Sequence, residues 1–412
     1  MRGLFGIAAI LVLAWGLSED RFRVPWRIVV VGVLLQFALA LIFLKFPPAS
    51  AAFLLLNRAV EALQRATDAG TGFVFGYLGG GDLPFAETKP GASFIFAFKA
   101  LPLVLVISAL ATLLFYWGVL QRIVQAFAWV LRRSVGVGGP LGLGAAVHIF
   151  VGFIEAPLLI RPYLARLARG ELFALMSTGM AGIAGTVMVL YAAILGPVIP
   201  DALGHILIAA VISTPAALAI AALMVPFHPD PSPTTQLTMT DPPVSSMDAI
   251  ARGTSDGIIF LAQIIAMLVV LVALVSLANS ALGLLPDFAG APVTLQRLFA
   301  YAFQPVMWLI GIRGPETAAA AQLMGTKTVL NEFIAYADLA RLSPGALSER
   351  SRLIMTYALC GFANFGSLGI LIGGMGAMVP ERRPEIVALG LRSILSGTLA
   401  TCMSGAVVSL LL

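Results

Sequence analysis

The sequence predicts an all-α integral membrane protein. It has about eight transmembrane helices, two oppositely oriented re-entrant hairpins in an inverted repeat, and interfacial helices. Three observations carry this. First, 59% of the 412 residues are hydrophobic and 11% are charged, where a soluble domain carries roughly a quarter charged. Second, runs such as "VVVGVLLQFALALIFL" (29–44), "HILIAAVISTPAALAIAALMVPF" (205–227) and "IIFLAQIIAMLVVLVALVSLA" (258–278) approach or exceed the ~20 residues that cross hydrocarbon. They are continuous rather than alternating, which argues against a β-barrel, and backbone in lipid must satisfy itself within the segment, which leaves helices. Third, two carboxylates sit inside strongly apolar sequence: Glu155 in "VGFIEAPLLIRPYL" and Glu332 in "TVLNEFIAY".

Candidate spans fall at about 3–17, 25–45, 97–120, 171–195, 203–226, 256–280, 352–378 and 387–411. The N-terminal stretch has the charge and apolar run of a signal peptide. It lacks a clear small-x-small cleavage site and is expected to stay as the first helix. Arg21, Arg23 and Arg27 place the first loop in the cytoplasm by the positive-inside rule, which puts the N-terminus outside. "FLLLNRAVEALQRATDAG" (53–70) carries polar residues at helical spacing and reads as a helix on the outer interface.

The third span then ends at Arg122, Arg132 and Arg133, and Arg161, Arg166 and Arg169 precede the fourth. Segment 137–165 therefore leaves and returns on one side. It is too long for a loop and too apolar for water, so it predicts a re-entrant hairpin. The second half repeats the pattern. "TYALCGFANFGSLGILIGG" (356–374) echoes "STGMAGIAGTVMVLYAAIL" (177–195), and each follows an acid-bearing segment. The second hairpin, about 313–341, is expected to enter from outside. Arg382 and Arg383 mark a cytoplasmic helix end, whereas Arg341, Arg350 and Arg352 fall outside and conflict with the positive-inside rule. Both termini are then periplasmic. The expected division is 1–96 (scaffold helices and outer interfacial helix), 97–227 (first repeat), 228–255 (a Pro, Ser and Thr-rich cytoplasmic linker) and 256–412 (second repeat). Paired, interrupted helices in two inverted copies are the pattern of a secondary transporter that binds near the midplane.

An ionised acid at bilayer depth costs roughly 2.5–3.5 kcal/mol, so Glu332 needs a partner, a proton or water. Two readings stand: a carboxylate capping helix N-termini at a hairpin tip, or an acceptor for substrate hydroxyls. Asn331 holds the tip or joins the site, and Lys327 offers a neutralising charge. Pro157 suits the first turn of a helix, which puts Glu155 at a turn between half-helices. "GFANFGSLG" (361–369) predicts an unwound stretch offering Asn364, Ser367 and the rings of Phe362 and Phe365; close helix packing through glycine is the alternative. His148 is a proton carrier or a neutral, hydrogen-bonded imidazole.

Other classes are excluded. The net charge of +5 comes mostly from arginines at helix ends, so no nucleic-acid partner is expected. Cys360 and Cys402 lie in apolar runs and imply neither a disulfide framework nor a metal cluster. No HExxH, Walker loop or Cys/His metal spacing is present, and "MSGA" (403–406) lacks a histidine partner. The chain is not expected to be an enzyme.

"GTKTVLNEFIAY" (325–336), "YALCGFANFGSLGI" (357–370) and "PERR" (380–383) closely resemble the C-terminal signature of concentrative nucleoside transporters. "EAPLLIRPYL" (155–164), "GTGFVFGYL" (70–78) and "SEDRFRVPWR" (18–27) also fit it. The resemblance implies eight spans, two opposed hairpins, a homotrimer in the bacterial inner membrane, and nucleoside uptake driven by sodium or protons through an elevator-like movement. It implies that Glu332, Phe362, Asn364 and Ser367 hold the ribose, that Glu155 is the acid on the nucleobase side and that Val187 forms a wall there. The family typically has a Gln and a hydroxyl residue before the first acid, and these bind the base; here they are Phe153 and Ile154. At the family's sodium-site Asn and Ser stand His148 and Gly182, whose side chains bring no oxygen. The coupling ion is therefore expected to be a proton, carried by Glu155 or His148, with sodium left open; no other cofactor is expected. The cargo is expected to be a nucleoside or a modified, sugar-bearing relative. A membrane sensor that binds without transporting is the reading from another class.

Overall fold

The computed structural model describes the chain except residues 1, 88–92, 151, 154, 229–241 and 289. Among the described residues it is helical, without a β-strand. Helix α1 (Arg2–Gly16) is buried along Gly3, Gly6, Ile7, Ile10 and Ala14. Helix α2 (Trp26–Lys45) follows, then α3 (Pro47–Phe75), which extends the expected 53–70 helix at both ends. Two prolines open α3, where a missing N–H costs nothing. It closes at Gly76, whose φ of +59° suits glycine.

The expected span 97–120 is two helices, α4 (Phe96–Lys99) and α5 (Leu103–Tyr116). Pro102 has no N–H to continue the ladder, and the chain crosses the break on short turn bonds such as Leu103 N to Ala100 O. Helix α6 (Val119–Ser134) was not expected; it buries Val124, Ala128 and Leu131 and carries Arg132 and Arg133 in its last turn. Segment 137–165 folds as α7 (Gly139–Val147), α8 (Glu155–Leu159) and α9 (Arg161–Leu164).

The expected span 171–195 is broken into α10 (Arg169–Ala181) and α11 (Gly185–Leu195). Helix α12 (Ala202–Met224) is buried almost throughout. Helix α13 (Ser246–Leu282) starts inside the expected 228–255 linker, because Ser245 caps it: its Oγ accepts from Asp248 N at 3.1 Å. Helix α14 (Leu295–Leu309), also unexpected, is capped by Thr294.

Segment 313–341 forms α15 (Thr317–Val329) and α16 (Glu332–Arg341), which pack on each other. The expected span 352–378 is broken into α17 (Glu349–Leu359) and α18 (Phe365–Met378), and α19 (Arg383–Leu411) ends the chain. Among the described residues, Trp26–Lys45, Phe96–Tyr116, Ala202–Met224, Ser246–Leu282 and Pro380–Leu411 are long and apolar enough to cross a membrane. The other three expected spans are the short α1 and the two interrupted helices.

Helices α12 and α19 form the centre, with α2, α10 and α17 against them. Small residues and hydroxyls suit such packing, since lipid supplies no hydrophobic drive between helices. Gln36 Nε2 donates to Ser404 Oγ at 3.0 Å, and Ser404 and Ser213 share a bond of 2.9 Å.

Charges gather at the two ends of α19. At its N-terminal end Glu19 takes a two-pronged bond from Arg169 (2.9 and 3.1 Å) and a contact from Arg392 (2.6 Å), and Glu385 pairs with Arg382 at 2.7 Å. The hydrogen-bonded Arg169 guanidinium holds the Glu19 carboxyl below the usual carboxylate range. Arg382 also donates to Leu164 O and Leu167 O, tying the base of the α7–α9 segment to this end. At the other end Arg350 donates to Gly311 O and Ser409 O, and Arg352 to Leu347 O and Leu342 O. Arg350 and Arg352 are thus held by backbone carbonyls; Ser409 O lies in the last turn of α19, where a cation offsets the partial negative charge of a helix C-terminus. The α15–α16 pair is tied to this second end through Ser348 Oγ and Glu316 Oε2 at 3.1 Å.

Candidate functional site

The site begins at two interrupted helices that touch at their breaks. The break at 182–184 meets the break at 360–364, and Phe362 N donates to Gly182 O at 3.1 Å. A Cβ on Gly361 would lie 2.9 Å from Met180 O and 3.0 Å from Ala181 O, so only glycine lets these backbones approach. Each break exposes peptide groups that the helix would otherwise satisfy, and here they partly satisfy one another.

Two asparagines restart the helices. Asn331 Oδ1 accepts from Ile334 N at 2.9 Å and caps α16; Asn364 Oδ1 accepts from Ser367 N at 2.7 Å and caps α18. Glu332 is therefore the first residue of α16 and is 4% exposed. A carboxylate at a helix N-terminus is favoured by the helix dipole. Both of its oxygens are engaged: Oε2 accepts from Asn364 Nδ2 at 2.9 Å and Oε1 from the Tyr191 hydroxyl at 2.6 Å. Asn364 thus spends its oxygen on its own helix and its amide on Glu332.

The structure brings most of the expected residues together. Glu332, Asn331, Asn364 and Ser367 lie at two neighbouring helix starts, and Phe362 lies in the adjoining break. Phe153 packs on Phe362, with ring centroids 4.9 Å apart and planes tilted by 55°. His148 is 3% exposed, and its Nε2 has no hydrogen-bond partner among the described residues. It abuts Gly179 together with Phe153, and its carbonyl faces Gly182. Val187 is half-buried on α11. Ile154 lies outside the described residues; Glu155 opens α8, but its side chain lies outside them too.

Lys327 acts on Glu332 as a nearby charge without a hydrogen bond to it. Lys327 is fully buried, but its Nζ donates to Ala358 O at 2.9 Å and Thr401 Oγ1 at 3.0 Å. It braces the end of α17 against α19 rather than pairing directly with Glu332. Ala358 O is one of the last carbonyls of a helix that stops at the break, and a cation there is favourable. Tyr191 was missed. It stands four residues after Val187 and so on the same helix face, and a phenol in "VMVLYAAIL" was the available signal. A pocket of about 390 Å³ lies beside this site, lined by Val275, Asn279, Gln296 and Leu330 among others. It shares only the tip residue Leu330 with the α15–α16 turn.

The site sets a buried acid, held by neutral donors, beside the breaks of two helices. Fold and site together define a membrane transporter, not an enzyme. Family models agree. "Na+ dependent nucleoside transporter C-terminus" matches residues 205–409, the corresponding N-terminus matches 5–78, and "Nucleoside recognition" matches 97–198. An uncharacterized transporter of Haemophilus influenzae is 35% identical over 423 residues, covering 100% of this chain and 97% of that one. Solute carrier family 28 member 3 of Homo sapiens is 35% identical across 98% of this chain, which spans 59% of that longer protein. The structure of CNTnw in an inward-facing substrate-bound state superposes with a TM-score of 0.89 at 32% identity, covering 99% of this chain and 98% of that one. The chain belongs to the concentrative nucleoside transporter family, and is a multi-pass membrane protein.

Proposed function

We propose that this protein imports nucleosides or closely related sugar-bearing compounds across a bacterial inner membrane by alternating access, with Glu332 accepting from ribose hydroxyls. The observation that carries this is the Glu332 carboxylate, 4% exposed and held between Tyr191 and Asn364. Its carboxylate has about four acceptor positions; Tyr191 and Asn364 take two, and its own backbone N–H makes a further contact. Ser367, at the start of α18, adds a hydroxyl, and Asn331 holds the tip. In this reading the α7–α9 segment and the α15–α16 pair are re-entrant hairpins from opposite sides, and the repeats divide at 97–227 and 256–412 around a cytoplasmic linker. The ties of their bases to opposite ends of α19 support it. Eight spans and a homotrimer are what the family resemblance implies, and periplasmic termini are what the positive-inside rule implies.

On the nucleobase side, Phe153 and Ile154 stand before Glu155, and Val187 completes the wall. The Phe153–Phe362 pair offers ring faces rather than donors and acceptors. This favours cargo whose base is gripped by stacking, including modified nucleosides. We read the coupling ion as a proton, because His148 and Gly182 bring no side-chain oxygen and His148 Nε2 is unpartnered among the described residues. Glu155 is the second candidate carrier. The sodium in the family models' descriptions weighs against this reading, so the test is direct. Vesicles holding the purified protein should take up uridine or adenosine with an inward proton gradient and no sodium; uptake that follows a sodium gradient at fixed pH overturns proton coupling. Binding without accumulation would make the protein a sensor instead. Replacing Glu332 by Gln should weaken riboside binding about tenfold or more; unchanged affinity removes Glu332 from the site.

A further inference from the structure

Glu332 is held from two directions that belong to different parts of the fold. Asn364 sits one break away in the second half of the chain, and its position is set by the cap it gives α18. Tyr191 comes from α11 in the first half, 141 residues away in sequence. Its hydroxyl donates to Glu332 Oε1 at 2.6 Å, a short bond of the kind a charged acceptor makes. The phenol ring is placed independently of that bond. Its centroid lies 5.2 Å from that of Tyr336 and 6.2 Å from that of Phe333, and the residue is 3% exposed. The ring therefore delivers its hydroxyl to one side of the carboxylate and prevents the group from turning.

We propose that Tyr191 is a specificity-determining positioning residue: by fixing Oε1 it leaves the remaining acceptor positions of Glu332 set for the adjacent hydroxyls of a pentose. The inference rests on the reading of Glu332 as the sugar acid. A freely turning carboxylate accepts one hydroxyl as readily as two. A fixed one rewards a matched pair of donors, and a ligand without them leaves buried acceptors unpaired. Tyr191 thus sets discrimination between ribosides and their deoxy counterparts while reading nothing of the base.

The test uses the full-length protein carrying Tyr191→Phe, which keeps the ring and its contacts and deletes only the hydroxyl. Probes are uridine and adenosine with their 2′,3′-dideoxy counterparts, measured by calorimetry alongside a melting curve of each variant. The expected result is about tenfold weaker riboside binding, with dideoxy affinities changed less than twofold. The double variant with Glu332→Gln should lose little more than Glu332→Gln alone, because both act through one bond. Equal losses for ribosides and dideoxy probes would show a packing role and overturn the inference, as would no loss at all. If Glu332→Gln weakens riboside binding and Tyr191→Phe does not, only the role of Tyr191 falls. If neither changes it, or the unmodified protein binds none of the probes, the sugar-acid reading falls with it.

Discussion

At the scale of single residues, the site is economical because its polar groups serve twice. Asn364 caps α18 with its oxygen and steadies Glu332 with its amide. The two duties can be separated. Serine caps nearly as well as asparagine, whereas alanine loses the cap at about 0.5–2 kcal/mol. Asn364→Ser should therefore melt close to the unmodified protein and Asn364→Ala several degrees lower, while both bind ribosides more weakly. A serine variant with full affinity would show that the amide does not matter to the ligand. Lys327 illustrates the same economy: a buried cation serves the C-terminal end of α17 and the Thr401 hydroxyl, a partner set that the five-residue spacing to Glu332 did not suggest.

At the scale of elements, the decisive feature is the crossing of two interrupted helices. Continuous helices at this position would keep their peptide groups to themselves. The breaks free Gly182 O and Phe362 N to bond each other, and glycine lets the chains close. Gly361→Ala should destabilise the protein by about 1–3 kcal/mol, because the new methyl meets two backbone carbonyls that cannot rotate away. Gly369, on α18, is the control: a Cβ added there would meet open space. Gly369→Ala should be neutral, or stabilising by up to about 1 kcal/mol. Melting curves in detergent compare the two, and equal melting temperatures would show that the crossing bears no strain.

At the scale of the molecule, the two ends are fastened differently. One end of α19 is closed by carbonyl caps from Arg350, the other by the charges around Glu19. The Glu19 carboxyl is lowered by Arg169, so its contribution to stability is full above the ordinary carboxylate value of 4.5 and is lost as pH falls through the depressed folded value. Thermal stability below about pH 4.5 should decline less steeply in Glu19→Gln than in the unmodified protein, though the variant starts lower at pH 7. Parallel curves would show that the cluster is not coupled to folding. Because these groups are partly exposed, added salt should shrink the difference at pH 7.

Composition and apolar run length alone determined that the chain is a helical membrane protein, because lipid admits little else. The Gly-rich stretches and the two acids marked where helices would break, and family-like motifs marked Glu332, Asn364, Ser367 and Phe362. Local sequence did not show the break before Leu103, since α4 and α5 read as one apolar run. It also passed over α6 and α14, whose mixed faces resemble loops. Only the tertiary structure decided what lies opposite what: Tyr191 on Glu332, Lys327 on Ala358, Phe153 on Phe362, and one break against the other. Those pairings join residues 31 to 209 positions apart. Such contacts follow from how helices cross, and a crossing is set by packing across the whole bundle rather than by any one segment.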